Sequence, residues 1–243
     1  MAVVVPAAAS SRPSAAAPRK RRVRAVRDAD RTRAAILAAA TREFAQHGLG
    51  GARVDQIAGR AKTNKRMLYY YFGNKEALFR AVLEGAYARI RAAEKDLQMQ
   101  DVAPPEGVRR LVEFTWSYYL ANPEFMTLLN SENLHRARHL KRSRQVRAMN
   151  SPLIETLGEV LRSGAARGEF RVGVDALQLY VSIAALSYFY LGNNHTLSAV
   201  FGRDLATVRA RRDRLAHMTE VILGYLRPER PRRLTPATAA NDN

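Results

Sequence analysis

Apolar residues recur at the spacing of helix faces from Ile36 to Leu226, and nothing alternates with period two. That pattern predicts an all-α chain, because a half-buried strand would need alternation. The chain has 243 residues, enough for one large or two small domains, and 47% of them are hydrophobic, enough for a core. No internal repeat occurs. No apolar run reaches the length of a membrane-spanning helix, so no membrane partner is expected. The absence of cysteine excludes disulfides, thiolate metal sites and cysteine nucleophiles.

The first helix is predicted over Asp30–His47, with Ile36, Leu37, Ala40 and Phe44 on one face and Gly48 as its stop. Gly48-Leu49-Gly50-Gly51 is a turn. A short helix follows over Val54–Ala61, then a break at Lys62-Thr63-Asn64. Asn64 caps a helix over Lys65–Phe72, and Asn74 caps a long one from Lys75 to about Leu97. Further helices are predicted over Glu106–Ala121, from Pro123, and from Pro152 to about Arg167. The basic stretch Glu132–Met149 is left without an assigned form. Asp175–Leu191 is apolar almost all round, which marks a buried or partner-facing helix. Asn193-Asn194 is expected to break it, leaving a short turn over His195–Phe201. The last helix starts at Asp204 or Thr207 and ends at Leu226.

The net charge is +18. Such a surplus favours a polyanion, either nucleic acid or an anionic surface. It is densest near the N-terminus: residues 1–29 hold seven bases against one acid, and residues 30–78 nine against four. Residues 1–29 lack apolar periodicity and are expected to form a disordered basic arm, with a similar basic tail over 229–243. Val3-Val4-Val5 is too short for a signal-peptide core, and the bases follow it rather than precede it.

Two short helices joined by a tight turn behind a longer helix make a helix-turn-helix unit, whose second helix can enter a major groove. Its residues carry a resemblance. Ile36-Leu37-Ala38-Ala39-Ala40 with Phe44 and Gly48, then Asp55-Gln56-Ile57-Ala58, then Leu68-Tyr69-Tyr70-Tyr71-Phe72-Gly73-Asn74-Lys75-Glu76-Ala77-Leu78, resemble the TetR family of bacterial transcriptional regulators. The match covers Asp30 to Leu83, and the tyrosine run before Asn-Lys-Glu-Ala-Leu is its most specific part. The resemblance implies a DNA-binding domain over 30–78 and a helical effector-binding and dimerisation domain over 79–228. It further implies a cytoplasmic dimeric regulator, most simply a repressor, that binds a palindromic operator in double-stranded DNA and is released by an unknown small molecule. The chain departs from the family at Lys62 (usually Gly), Met67 (usually small) and Gly73 (usually Pro). A lysine at position 62 prefers φ < 0, so either the turn differs or Lys62 carries strain.

The DNA-binding set is Arg53, Thr63, Asn64, Lys65, Arg66, Tyr69, Tyr70, Tyr71 and Lys75. Lys65 and Arg66 open the recognition helix and can donate to guanine O6 and N7, or equally to phosphate. The three tyrosines cannot all face the core, because successive residues lie about 100° apart on a helix; Leu68 and Phe72 are the better core pair. In the family the second aromatic of this run touches phosphate, which transfers to Tyr70 and, less directly, to Tyr69 and Tyr71. Lys75 stands in a helix's first turn, where backbone N–H groups already favour an anion.

In the other domain, Trp116, Tyr119, Phe125, Met126, Asn133, Tyr188, Tyr190 and Asn193 form the pocket set, each with plain core packing as the competing reading. Asn133 and Asn193 stand out in this set because a buried amide needs a partner that a ligand can supply. Leu177, Tyr180, Ile183, Leu215, Met218 and Ile222 form the dimer set, on the two helices best suited to a four-helix dimer bundle. His135 and His139 stand four apart, but their basic neighbours repel a cation, so no metal is expected and the pair reads as part of a solvated basic face. No cofactor is expected. An architectural DNA-binding protein is the competing reading, and an enzyme a weaker one: no Gly-rich loop ending in Lys-Ser/Thr and no His-Glu-x-x-His motif occurs.

Overall fold

Helix α1 (Ala17–Gly51) opens a chain whose computed structural model describes residues 17–228. The expected arm over 1–16 and the tail over 229–243 lie outside the described residues. Residues 17–29, expected in the arm, instead extend α1 backwards. Alanine, arginine and lysine are good helix formers, and Pro18 suits a first turn. Gly48 ends the regular part of α1 with φ 63 and ψ −178, a left-handed φ that glycine adopts without strain.

Then come α2 (Val54–Arg60), α3 (Lys65–Phe72), α4 (Lys75–Lys95), α5 (Pro104–Ala121) and α6 (Pro123–Leu134). A single 3-10 turn (Leu140–Arg142) leads to α7 (Arg144–Ala166), α8 (Ala176–Phe201) and α9 (Val208–Leu226). No strand occurs among the described residues. Two boundaries correct the sequence reading. α7 starts eight residues before Pro152, because Ser143 Oγ accepts from the Val146 N–H at 3.3 Å and caps it; Pro152 sits inside the helix. α8 runs through Asn193-Asn194 without a break, to Gly202 at φ 61. Asn193 Nδ2 donates to the Phe189 carbonyl (2.9 Å) and Ser198 Oγ to the Asn194 carbonyl (2.6 Å), so these polar groups are satisfied on their own helix.

α4 belongs to both parts of the molecule. Its first half buries Leu78, Phe79, Val82 and Leu83, and Phe79 meets Phe44 of α1 edge-on at 5.0 Å. Its second half buries Ile90, Arg91 and Glu94 among the later helices. Each buried aliphatic or aromatic side chain contributes about 1.5–3 kcal/mol. α6 completes the joint: Ser131 Oγ accepts from the Leu49 N–H at 3.3 Å, just past the end of regular α1.

Candidate nucleic-acid interface and adjoining cavity

The α2–α3 turn closes through Lys62 N–H to the Gly59 carbonyl (3.1 Å) and Thr63 N–H to the Ala58 carbonyl (3.0 Å). Lys62 sits at φ 51, so the turn keeps the geometry a glycine would give and Lys62 bears the strain. Asn64 Oδ1 accepts from the Met67 N–H (3.0 Å) and starts α3. α3 buries Leu68 and Phe72 and leaves Lys65, Arg66, Tyr69 and Tyr70 exposed. Arg33 of α1 lies over the Phe72 ring at 5.3 Å. Tyr70 is the most open of the three tyrosines, at 77% exposure. Tyr71 is half-buried, its ring edge-on to Tyr70 at 5.2 Å.

The cations differ in their resting partners. Lys65 Nζ pairs with Asp55 of α2 at 2.6 Å, both exposed. Lys75 Nζ donates to the Gly50 carbonyl at 3.3 Å. Arg53 and Arg66 are exposed, and Thr63 is half-buried in the turn. Gly73, at φ 78 and ψ −62, makes a three-residue turn in which Asn74 N–H donates to the Phe72 carbonyl (3.0 Å). Asn74 Oδ1 then accepts from the Ala77 N–H (2.8 Å) and opens α4. The two caps therefore fix Lys65 and Lys75 at adjoining helix starts.

Glu43 is the residue the sequence reading missed. It is 1% exposed, accepts from the Arg53 N–H at 3.0 Å and pairs with Arg60 at 3.0 Å. It thereby anchors both ends of α2 to α1. An acid seven residues after Ile36 and three after Ala40, on the core face of α1, was the available signal.

The second half of α4 borders a cavity of about 180 Å³ with Met99, Met149 and Leu153 in its walls. Arg91 and Glu94 line it and are 7% and 5% exposed. Arg91 Nη1 pairs with Glu94 Oε2 at 2.7 Å, and Nη2 donates to Tyr180 Oη of α8 at 2.7 Å. Arg91 Nε finds no hydrogen-bond partner among the described residues. Burial pushes the Glu94 carboxyl up to about 7, against the opposing pull of Arg91. Burial also pushes the Tyr87, Tyr119 and Tyr180 phenols up.

None of the eight pocket residues lines this cavity. Trp116, Tyr119, Phe125, Met126 and Tyr190 are core, with Tyr119 stacked on Phe125 at 5.9 Å and Trp116 against Tyr190 at 5.7 Å. Tyr188 is half-buried, and Asn133 is exposed at the end of α6 rather than buried as expected. His139 also departs from its reading as a solvated face. It is 3% exposed, with Nδ1 2.6 Å from Glu132 Oε2 and its ring edge-on to Phe79 at 5.2 Å. Glu132 Oε1 further accepts from the His139 and Leu140 N–H groups. His135 is half-buried, its ring 5.8 Å from that of His139.

The dimer set also needs correction. Ile183, Met218 and Ile222 are buried in their own protomer, Tyr180 turns inward to Arg91, and Leu215 is half-buried. Only Leu177 is open, at 51% exposure. α8 is so apolar all round that periodicity could not say which of its stripes faces out. The exposed stripe is Leu177, Val181 and Phe189 of α8 with Val221 and Tyr225 of α9. A shallow groove of about 400 Å³ runs between Ala185 and Leu186 of α8 and Val221 and Tyr225 of α9.

A capped reading helix on a three-helix head, joined by a shared strut to a larger helical body, defines a helix-turn-helix DNA-binding protein with a separate regulatory domain. Residues 36–82 match the model of bacterial regulatory proteins of the tetR family, and residues 104–222 that of the tetracyclin repressor-like C-terminal domain. The chain is 43% identical over 209 residues to the HTH-type transcriptional repressor NicS of Pseudomonas putida, covering 86% of this chain and 98% of that protein. It is 38% identical over 110 residues to the HTH-type transcriptional repressor SCO4008 of Streptomyces coelicolor, covering 45% and 54%. A crystal structure of the putative transcriptional regulator SCO4942 from Streptomyces coelicolor superposes with a TM-score of 0.58 at 29% identity, over 79% of this chain and 97% of that one. A tetR-family regulatory protein from Rhodococcus RHA1 gives 0.63 at 18% identity, over 82% and 98%. The chain belongs to the TetR family of transcriptional regulators.

Proposed function

We propose that this protein is a dimeric, ligand-responsive repressor that reads a palindromic operator in double-stranded DNA. The exposed face of α3 carries the reading: Lys65, Arg66, Tyr69 and Tyr70 project together from a helix whose other face is sealed by Leu68 and Phe72. Lys65 and Arg66 contact base edges, while Tyr70, Lys75 and Arg53 hold phosphates. Two copies joined through α8 and α9 bring two α3 helices to half-sites about 34 Å apart. A ligand in the body that favours another spacing releases the operator, and the operator weakens the ligand by the same factor. The tetR-type relatives named repressors support the sign of regulation.

Selection of bound sequences from random duplex DNA, using the full chain, tests the reading. A palindrome with two equal half-sites is expected, and the absence of any motif across a salt series would sink it. Lys75→Ala is expected to weaken all sequences alike and to lower the salt slope by about one per protomer; an unchanged slope removes Lys75 from the phosphate contacts.

A further inference from the structure

Arg91 is a buried cation whose environment leaves it incompletely used. It is 7% exposed, borders a cavity, and keeps a free Nε. Its charge is met by Glu94 from the same helix, whose Oε2 makes the 2.7 Å pair but no well-aligned hydrogen bond. The rest of the wall combines apolar Met99, Met149, Pro152 and Leu153 with the neutral polar Gln98, Gln100 and Thr156, and the exposed Lys95 stands at the rim. A guanidinium offers paired donors that fit a carboxylate in two-point fashion. The walls and volume suit a compact organic body behind that carboxylate.

We propose that Arg91 anchors a small organic carboxylate as the effector of this repressor, and that Glu94 is the resident counter-ion the effector replaces. This rests on the ligand-responsive reading above and adds the class of ligand. Two anions cannot share one buried cation, so the arriving carboxylate drives Glu94 to its protonated form. Burial raises the Glu94 carboxyl to about 7 in the free protein, so near neutrality it is only partly ionised and the uptake of a proton on exchange is accessible. The other groups around the pair stay fixed. Tyr87 of α4, Tyr118 and Tyr119 of α5 and Tyr180 of α8 are phenols pushed upward by burial. From α7 the cavity receives only Met149, Pro152, Leu153 and Thr156, with no charge. Glu94 is therefore the group that takes up the proton.

Calorimetry on the full-length protein with benzoate and hexanoate, against benzamide and hexanamide, tests the site. At least one carboxylate should bind while its amide does not. Its affinity should fall about tenfold between about pH 6 and about pH 8, with close to one proton taken up at the higher pH. Arg91→Gln should abolish binding. Glu94→Gln should bind more tightly at about pH 8 and lose the pH dependence, and it carries the test if Arg91→Gln does not fold. An amide binding as well as its acid, equal affinity at both pH values, an unaffected Arg91→Gln, or binding by none of the four compounds overturns the proposal. Operator binding is scored separately. A palindrome bound with no carboxylate site overturns this inference alone; a carboxylate bound by a protein with no operator motif overturns the repressor reading alone.

Discussion

Lys62 holds φ 51 in the turn between α2 and α3, a conformation that costs a non-glycine residue about 1 kcal/mol. Lys62→Gly removes that cost but loosens the unfolded chain, so the expected net gain is small, below ~1 kcal/mol. Thermal unfolding should show a slightly raised Tm, and a clear drop would mean the lysine side chain is bonded in solution. Glu94 makes a sharper case. Its carboxyl is raised from 4.5 to about 7 in the folded chain, so the folded state holds its proton more tightly than the unfolded state. Stability from this group is full below about pH 4.5 and is lost as pH rises toward 7. Relative to Glu94→Gln, the natural protein should lose up to ~3 kcal/mol across that window, read from urea unfolding at several pH values. A constant difference between the two proteins contradicts the assignment.

Single elements are held by few bonds, so their failures are specific. α2 hangs on Glu43, which takes the Arg53 N–H at its start and Arg60 at its end. Glu43→Ala leaves a backbone donor unsatisfied and is expected to cost about 2–3 kcal/mol, with operator affinity falling further than that loss alone predicts. Glu43→Gln should recover much of it, because one side-chain acceptor remains. The elements of the head were legible because each boundary has a local chemical cause: Gly48 stops α1, and Asn64 and Asn74 cap α3 and α4. The body was less legible. Asn193-Asn194 resembles a break in sequence yet is absorbed by bonds to α8's own carbonyls, and Pro152 resembles a start yet lies behind a Ser143 cap. Arg91 and Glu94 escaped notice because burial of a charged pair at i and i+3 on α4 depends on what α7 and α8 place over it, which no local pattern records.

Across the whole molecule, the exposed apolar stripe of α8 and α9 is the face on which the proposed dimer would join two reading helices. Val181→Glu with Val221→Glu should shift sedimentation from dimer to monomer and weaken operator binding by well over tenfold, while helicity stays unchanged. An intact dimer would place the interface elsewhere. The head and body meet through Phe44, Phe79 and His139 and through Ser131 at Leu49, so a shift of α6 cannot leave α1 undisturbed. That continuity is the route by which the proposed ligand would alter the placement of α3.

The Lys65–Asp55 pair at 2.6 Å has a bearing on how the protein finds its target. Before it touches DNA, each reading helix already has its first cation occupied. Any acceptor on DNA, phosphate oxygen or base edge, must displace Asp55 before Lys65 can donate to it. An exposed pair is worth at most ~1 kcal/mol, about a fivefold handicap per half-site and about thirtyfold for both. Asp55→Asn is therefore expected to tighten binding to operator and random duplex alike by up to about that factor, read from binding titrations at one salt concentration.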